Sequence, residues 1–322
     1  MPAMLKYRLI LGPIMVAALL ALIAADHALD RLSIADGPLQ SLFLGRSYLP
    51  SGLLMLLAFF ACIPLAAGEL KAIFVAKGIQ ADRLAMTLSG MTGMALAYAI
   101  PYQTESQTSI AIFCTALVVI FFVALGRHTL PQKRTEGAAG AAAATMFAFV
   151  YMGLMPGFFL AIRRWETAWV ILGIIMVTKS CDIGAYFTGR LIGRHKLIPW
   201  LSPGKTWEGL AGGVVLSAIA GAGLAATGNA LELVGHYTAE THVFVPGHFD
   251  IARSAVAGAI FGLVGQAGDL TASLLKRDAG IKDSGNTIPG FGGLLDVFDS
   301  PVVVAPLAYW MIVIGQSWTP VS

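Results

Sequence analysis

Nine runs of apolar residues, each close to the length needed to cross a lipid bilayer, follow one another along this 322-residue chain. They lie at about 9–25, 51–68, 84–101, 108–125, 140–162, 165–181, 207–226, 254–268 and 300–316, each bounded by charged or turn residues. A helix takes roughly 20 apolar residues to traverse the hydrocarbon core, where it satisfies all its own backbone hydrogen bonds. The chain is therefore read as all-α, a polytopic integral membrane bundle of about nine transmembrane helices. Composition agrees. Lys, Arg, Asp and Glu make up 12% of the residues, about half the ~25% of an average soluble protein, and this excludes a water-soluble globular fold.

The positive charges orient the bundle, because Lys and Arg are retained on the cytoplasmic side. With the N-terminus inside, 16 of the 21 fall in cytoplasmic segments, and only Arg31, Arg46, Arg163, Arg164 and Arg253 lie opposite. The loop from about 227 to 250 carries neither Lys nor Arg. The pair Arg163 and Arg164 breaks the rule locally and reads as a tight outer turn. The first run follows Lys6 and Arg8 and ends in Ala24 and Ala25, the outline of a signal peptide. Its run of about 17 apolar residues exceeds the usual h-region, so it is taken as a retained span. A formal net charge of +3, spread over short loops, excludes a nucleic-acid partner. Cys62, Cys114 and Cys181 have neither paired nor metal-ligand spacing.

Ionisable residues concentrate in two cytoplasmic segments, 179–209 and 269–299. The chain divides accordingly into an N-terminal membrane scaffold, 1–139, with about four spans, and a second part, 140–322, with about five spans and all the polar chemistry. In the second segment, continuation of the eighth span to Asp278 puts Asp269, Ser273 and Lys276 at i, i+4 and i+7, within about 60° on one helix face. A carboxylate at the membrane boundary needs a partner, and a cation is the simplest. Gly280, Gly285, Gly290, Gly292, Gly293 and Pro289 then forbid a regular helix. Their backbone N–H groups can converge on an anion, with Lys276, Arg277 and Lys282 around them, an arrangement suited to phosphate. Asp283, Asp296 and Asp299 follow, the last two at i and i+3 where the ninth span begins. Hard oxygen donors without His or Cys point to Mg²⁺ shared with substrate phosphates.

In segment 179–209, Asp182, Tyr186, Gly189 and Gly193 share one helix face of small and polar residues, open to a substrate or another helix. Ser202 to Glu208 form a turn into the seventh span, with Thr206 or Ser202 as its N-cap. Lys205 sits where a helix N-terminus would also favour an anion. His195, in the run Arg194-His195-Lys196, reads as part of a solvated turn. Trp165, Trp200, Trp207 and Trp318 read as interfacial anchors.

These two segments together resemble phosphatidate cytidylyltransferase, the CDP-diacylglycerol synthase family of membrane enzymes. The family signature is S-x-x-K-R, four residues, K-D-x-G, two residues, an aliphatic residue, P-x-H-G-G, then x-x-D-R-x-D. Ser273, Lys276, Arg277, Lys282, Asp283, Gly285, Ile288, Pro289, Gly292, Gly293, Asp296 and Asp299 keep register with it. Phe291 stands where the family has His, and Val297 where it has Arg. Upstream, Asp182, Ala185, Tyr186 and Gly189 and the run S-P-G-K-T-W-E-G from Ser202 to Gly209 complete the match.

The resemblance implies transfer of CMP from CTP to phosphatidic acid, with pyrophosphate leaving, in a multi-pass bacterial-type inner membrane with the site facing the cytoplasm. It implies Mg²⁺ on Asp269 and Asp296, with a second cation as an option. Lys205, Lys276, Arg277 and Lys282 would hold the triphosphate and the lipid phosphate, and Asp283 would bind metal or orient a lysine. Asp182, Tyr186, Ser202, Thr206, Ser273, Gly292, Gly293 and Asp299 would line the substrates. A second copy of the chain is entertained as a partner. The rival readings are another Mg²⁺-dependent membrane phosphotransferase acting on a lipid or polyprenyl phosphate, and an ion-coupled transporter. The transporter calls for inverted half-repeats, and none is visible.

Overall fold

The computed structural model describes residues 2–34, 47–103, 106–133, 135–237 and 244–317. Arg46, Arg134, Trp318 and residues 238–243 of the 227–250 loop lie outside the described residues. Nine long helices are described: α1 (Pro2–Leu29), α2 (Leu53–Ala76), α3 (Arg83–Gln103), α4 (Ser106–Gln132), α5 (Ala138–Arg163), α6 (Ala168–Ile192), α7 (Trp207–Ala230), α8 (Ile251–Asp278) and α9 (Leu294–Ser317). Eight are long and apolar enough to cross a membrane. The exception is α3, 21 residues long, which still runs from one end of the bundle to the other. Two short antiparallel hairpins interrupt the helical plan: β1 (Lys196–Ile198) with β2 (Ser202–Thr206), and β3 (Gly235–Tyr237) with β4 (Phe244–Pro246).

Small residues bring the helices together, as expected where lipid removes any hydrophobic drive for helices to associate. A Cβ at Gly93 would lie 2.8 Å from the Phe149 carbonyl oxygen, and one at Gly153 would lie 2.6 Å from the Gly90 oxygen, so α3 and α5 touch backbone to backbone. At that contact α5 adopts a π-helical turn over Phe149–Leu154, the kind of bulge that often marks functional sites. Helices α6, α7 and α8 close in the same manner through Gly184, Gly213 and Gly258. The Ala-rich start of α5 is packing surface, with Ala141, Ala142 and Ala144 buried. The apolar core runs through Phe159, Leu160, Ile171, Val304, Ala305 and Ala308. Helix α4 is peripheral and exposes Ile110, Val118, Val119 and Phe122, the face a bilayer would cover.

The two ends of the bundle differ. At one end Lys77 pairs with Asp278 at 2.7 Å and Arg127 with Asp82 at 2.6 Å. At the opposite end Arg163 is 1% exposed, with Nε 2.6 Å from Asp26 and Nη2 2.5 Å from Asp30, so it ties α5 to the end of α1. Arg164 donates to the Tyr98 carbonyl and lies 4.5 Å over the Tyr98 ring. This explains the arginine pair that breaks the charge pattern: both guanidiniums are consumed inside the protein, and a buried charge needs a partner wherever it lies.

Candidate active site

Four helices and one hairpin deliver polar side chains to the Lys77 end of the bundle. Helix α8 runs unbroken past Asp269 to Asp278, as its pattern predicts. The β1–β2 hairpin folds the chain back so that β2 leads straight into α7. Thr206 closes that junction as N-cap, accepting a hydrogen bond from Gly209 N at 3.1 Å. Glu208 steadies the hairpin from the other side, accepting from the Arg194 and His195 backbone N–H groups and pairing with His195 Nδ1 at 2.6 Å. Lys205, held in β2, thereby points toward α8.

Its ammonium lies 2.5 Å from Asp269 and 2.8 Å from Gln266 Oε1. Gln266 Nε2 donates to Asp182 at 2.6 Å. Lys179 stands 3.4 Å from Asp182 and 3.7 Å from Asp299, and Asp299 adjoins Asp269. The six side chains form a closed ring across α6, β2, α8 and α9, with three carboxylates, two ammoniums and one amide. Two cations against three anions leave an uncompensated negative charge at Asp269 and Asp299.

About two turns further along α8, Lys276 bonds Asp296 Oδ1 at 2.6 Å. Asp296 Oδ2 accepts from Ser284 N at 2.9 Å, Ser284 Oγ at 2.9 Å and Gly293 N at 2.8 Å. Glu69, 6% exposed, reaches in from α2 and accepts from Leu294 N at 2.8 Å, Leu295 N at 2.9 Å, Ser284 Oγ at 3.1 Å and Thr287 Oγ1 at 2.5 Å. The glycines serve this arrangement. Gly292 has φ +95° and a Cβ there would meet Asp296 Oδ2 at 2.6 Å, while a Cβ at Gly293 would meet Glu69 Oε2 at 2.5 Å. An apolar crevice lined by Phe59, Cys62, Met94, Tyr151, Phe298 and neighbouring side chains lies beside the start of α9.

Residues 39–314 match the family model described as the cytidylyltransferase family. The chain belongs to that family. It is 35% identical over 192 residues to the phosphatidate cytidylyltransferase of Staphylococcus saprophyticus, covering 60% of this chain and 66% of the relative. It is 32% identical over 238 residues to that of Bacillus subtilis, covering 70% and 79%. It is 37% identical over 145 residues to the uncharacterized protein YnbB of Escherichia coli, covering 45% of this chain. The matches to YnbB and to the S. saprophyticus protein span 43% and 66% of those relatives, less than two thirds of their length.

In this cytidylyltransferase-family chain, Asp182, Lys205, Asp269, Lys276, Asp296 and Asp299 come together as their pattern suggests. Ser273 and Ser202 are half-buried at the same end. Lys282 and Asp283 face solvent from the loop. Arg277 caps the end of α8 through Nη1 to Ile281 O at 3.2 Å, and Tyr186 points outward with its hydroxyl on Arg190 at 2.8 Å. Gly189 and Gly193 abut Thr206, so that small-residue face of α6 receives the start of α7. One expectation is corrected. The loop N–H groups of Ser284, Gly293, Leu294 and Leu295 do converge on anions, but the anions are the chain's own Asp296 and Glu69. Residues that sequence reasoning passed over are Glu69, Lys179 and Gln266. Glu69 is an acid alone in an apolar span, and Gln266 stands three residues before Asp269, the only local signals either one gives.

The donor set suits a divalent cation at Asp269 and Asp299, two hard-oxygen groups side by side with unbalanced negative charge. Mg²⁺ commonly takes only one or two carboxylates and keeps water or phosphate for the rest. Asp296 is the more committed group, since both of its oxygens already accept hydrogen bonds.

Proposed function

We propose that this chain transfers the cytidylyl group of CTP to phosphatidate, forming CDP-diacylglycerol and pyrophosphate at the cytoplasmic face of a membrane. The observation that carries the reading is the contact between Lys205 and Asp269. It joins the two signature segments, far apart in sequence, in a single ring whose charges match the reaction. A phosphatidate oxygen forms a bond to the α-phosphorus of CTP while the bond from that phosphorus to the α,β-bridging oxygen breaks, and the electron pair leaves with pyrophosphate. Phosphatidate already carries an ionised oxygen near neutral pH, so the chain needs no general base. What it must supply is alignment and cationic compensation along the transferring and leaving phosphates.

Lys205 and Lys276 are more buried than Lys179, the other cation at the site, and each is now held by a carboxylate that a polyphosphate can replace. Lys282 and Arg277, exposed at the rim, suit the outer phosphates. Asp269 and Asp299 would hold Mg²⁺, which when bound neutralises charge on the phosphates and on the leaving group, with Asp296 held beside them by Lys276. The crevice between α2, α3, α5 and α9 offers apolar surface next to this polar ring, as a substrate with a charged head and acyl chains requires. The distribution of Lys and Arg favours a cytoplasmic location for the ring, where CTP is made.

The experiment is pyrophosphate release by the purified protein in detergent micelles, with CTP, phosphatidate and Mg²⁺ supplied together and with each omitted in turn. Release only from the complete mixture is the expected result. Equal release without phosphatidate would reduce the activity to nucleotide hydrolysis and remove the proposal.

A further inference from the structure

We infer that Glu69 is a positioning residue for this site, fixing the start of α9 so that Asp296 and Asp299 face Asp269 across the cleft. The inference rests on the proposed cytidylyl transfer and adds a residue from the N-terminal part of the chain, outside both signature segments. Glu69 accepts two backbone N–H groups, of Leu294 and Leu295, at the first turn of α9. Those N–H groups are the ones a helix leaves without intrahelical partners, and the helix N-terminus favours the negative charge. The carboxylate also takes the hydroxyls of Thr287 and Ser284, one on each side of the turn Gly285-Asn286. Its contacts are therefore with four residues of one loop, more than 210 positions away in sequence.

The link to the reacting groups is short. Ser284 Oγ lies 3.1 Å from Glu69 and 2.9 Å from Asp296 Oδ2, and with one hydrogen to donate it serves one acceptor at a time. Asp296 in turn holds Lys276. Glu69 itself is sealed beneath Gly285 and Gly293, where an added Cβ would come within about 3 Å of it, so no substrate reaches it. Its effect must pass through the position of α9, whose first turn carries Asp296 and, three residues on, Asp299.

The test substitutes Glu69→Gln, which keeps the side chain's size but turns an NH₂ group toward N–H donors. Two readouts are taken on the full-length protein: hydrogen–deuterium exchange of the 284–296 segment, and kcat, KM and the Mg²⁺ concentration giving half-maximal activity. Expected are loss of exchange protection at Leu294 and Leu295 and a fall in kcat of at least about tenfold, with KM for CTP within about threefold. The Mg²⁺ requirement should rise as well. A double variant, Ser284→Ala with Thr287→Val, leaves the backbone contacts in place and should move the same quantities in the same direction by a smaller factor, which keeps the test open should Glu69→Gln not fold. A purely structural Glu69 would lower thermal stability while leaving kcat per folded molecule and the Mg²⁺ requirement at wild-type values, and that result overturns the inference. Inactive wild-type protein would instead overturn the proposed reaction, so the two failures are distinct.

Discussion

The ammonium of Lys205 lies 2.5 Å from a carboxylate oxygen of Asp269, joining a hairpin strand to a membrane helix 64 residues further along the chain. Through Gln266 the same ammonium reaches Asp182 on α6. One lysine thus cross-links three elements and marks the centre of the polar ring.

Asp269→Asn is expected to lower kcat by more than tenfold, a loss above ~1.4 kcal/mol of transition-state stabilisation, with the protein still inserted and folded. The amide keeps the shape and removes the charge that faces Asp299 and Lys205. Steady-state kinetics at saturating Mg²⁺, alongside size-exclusion profiles, check this. Residual activity above a tenth would remove Asp269 from the metal-holding set. Asp296→Asn should be as damaging and should also lower thermal stability, since this carboxylate closes the 284–293 loop.

Lys276 and Lys282 should separate. Lys282 is exposed and forms no ion pair among the described residues, so Lys282→Ala should raise KM for CTP by roughly tenfold or more and leave the melting temperature unchanged. Lys276→Ala removes the partner of Asp296 and should lower both activity and stability. Equal effects from the two variants would contradict the division of roles.

Phe291 occupies the family's His position. A Cβ at Gly12 would meet the Phe291 ring at 3.4 Å, and Arg8 Nε bonds the neighbouring Gly290 carbonyl at 2.7 Å, so this turn leans on α1. The ring packs against α1 at Gly12. Phe291→His is therefore expected to change kcat by less than about tenfold, ~1.4 kcal/mol, in either direction. A larger gain would point to a different preferred substrate.

At the far end, Arg163→Met leaves Asp26 and Asp30 buried without their guanidinium and should cost on the order of 3–5 kcal/mol, while kcat and KM of the folded fraction stay at wild-type values. The same cluster sets a pH dependence. Burial pushes Asp30 up, but His27, 3.7 Å away, and the charge and hydrogen bond of Arg163 outweigh it and hold the carboxyl below its ordinary value. A depressed folded value means that the stabilisation is complete above the unfolded carboxylate value, about 3.9, and drains away as pH falls through the lower folded value. Melting temperature in detergent should therefore be insensitive to this group from neutral pH to about 5 and fall below 4. Arg163→Met should abolish that part of the acid slope.

The helical plan was legible because each span is a local signal, an apolar run closed by charge. The site was legible in part for the same reason: Asp269, Ser273 and Lys276 share a face by helical arithmetic alone, and Thr206 caps α7 where its position before an apolar run suggests. What the sequence concealed are partnerships between distant residues. Glu69 looks like a stray acid until α9 presents two N–H groups to it, and a glycine-rich loop reads the same whether its donors await a phosphate or already hold the chain's own carboxylates. Arg163 and Arg164 look like an orientation anomaly because the counter-charges of Arg163, Asp26 and Asp30, lie more than 130 residues earlier, and Arg164 rests on Tyr98, 66 residues earlier. A helical pitch cannot relate such pairs; the fold does, by bringing the end of α1 to Arg163.

The central claim is that the α-phosphoryl group of CTP, with its cytidine, moves to a lipid phosphate. The direct measurement is a label-partition assay with the purified protein, phosphatidate and Mg²⁺, run in parallel with CTP labelled at the α- or the γ-phosphate. The account predicts that α-label enters the organic phase as CDP-diacylglycerol while γ-label stays in water as pyrophosphate. Transfer of γ-label into lipid, or retention of both labels in water, would contradict it.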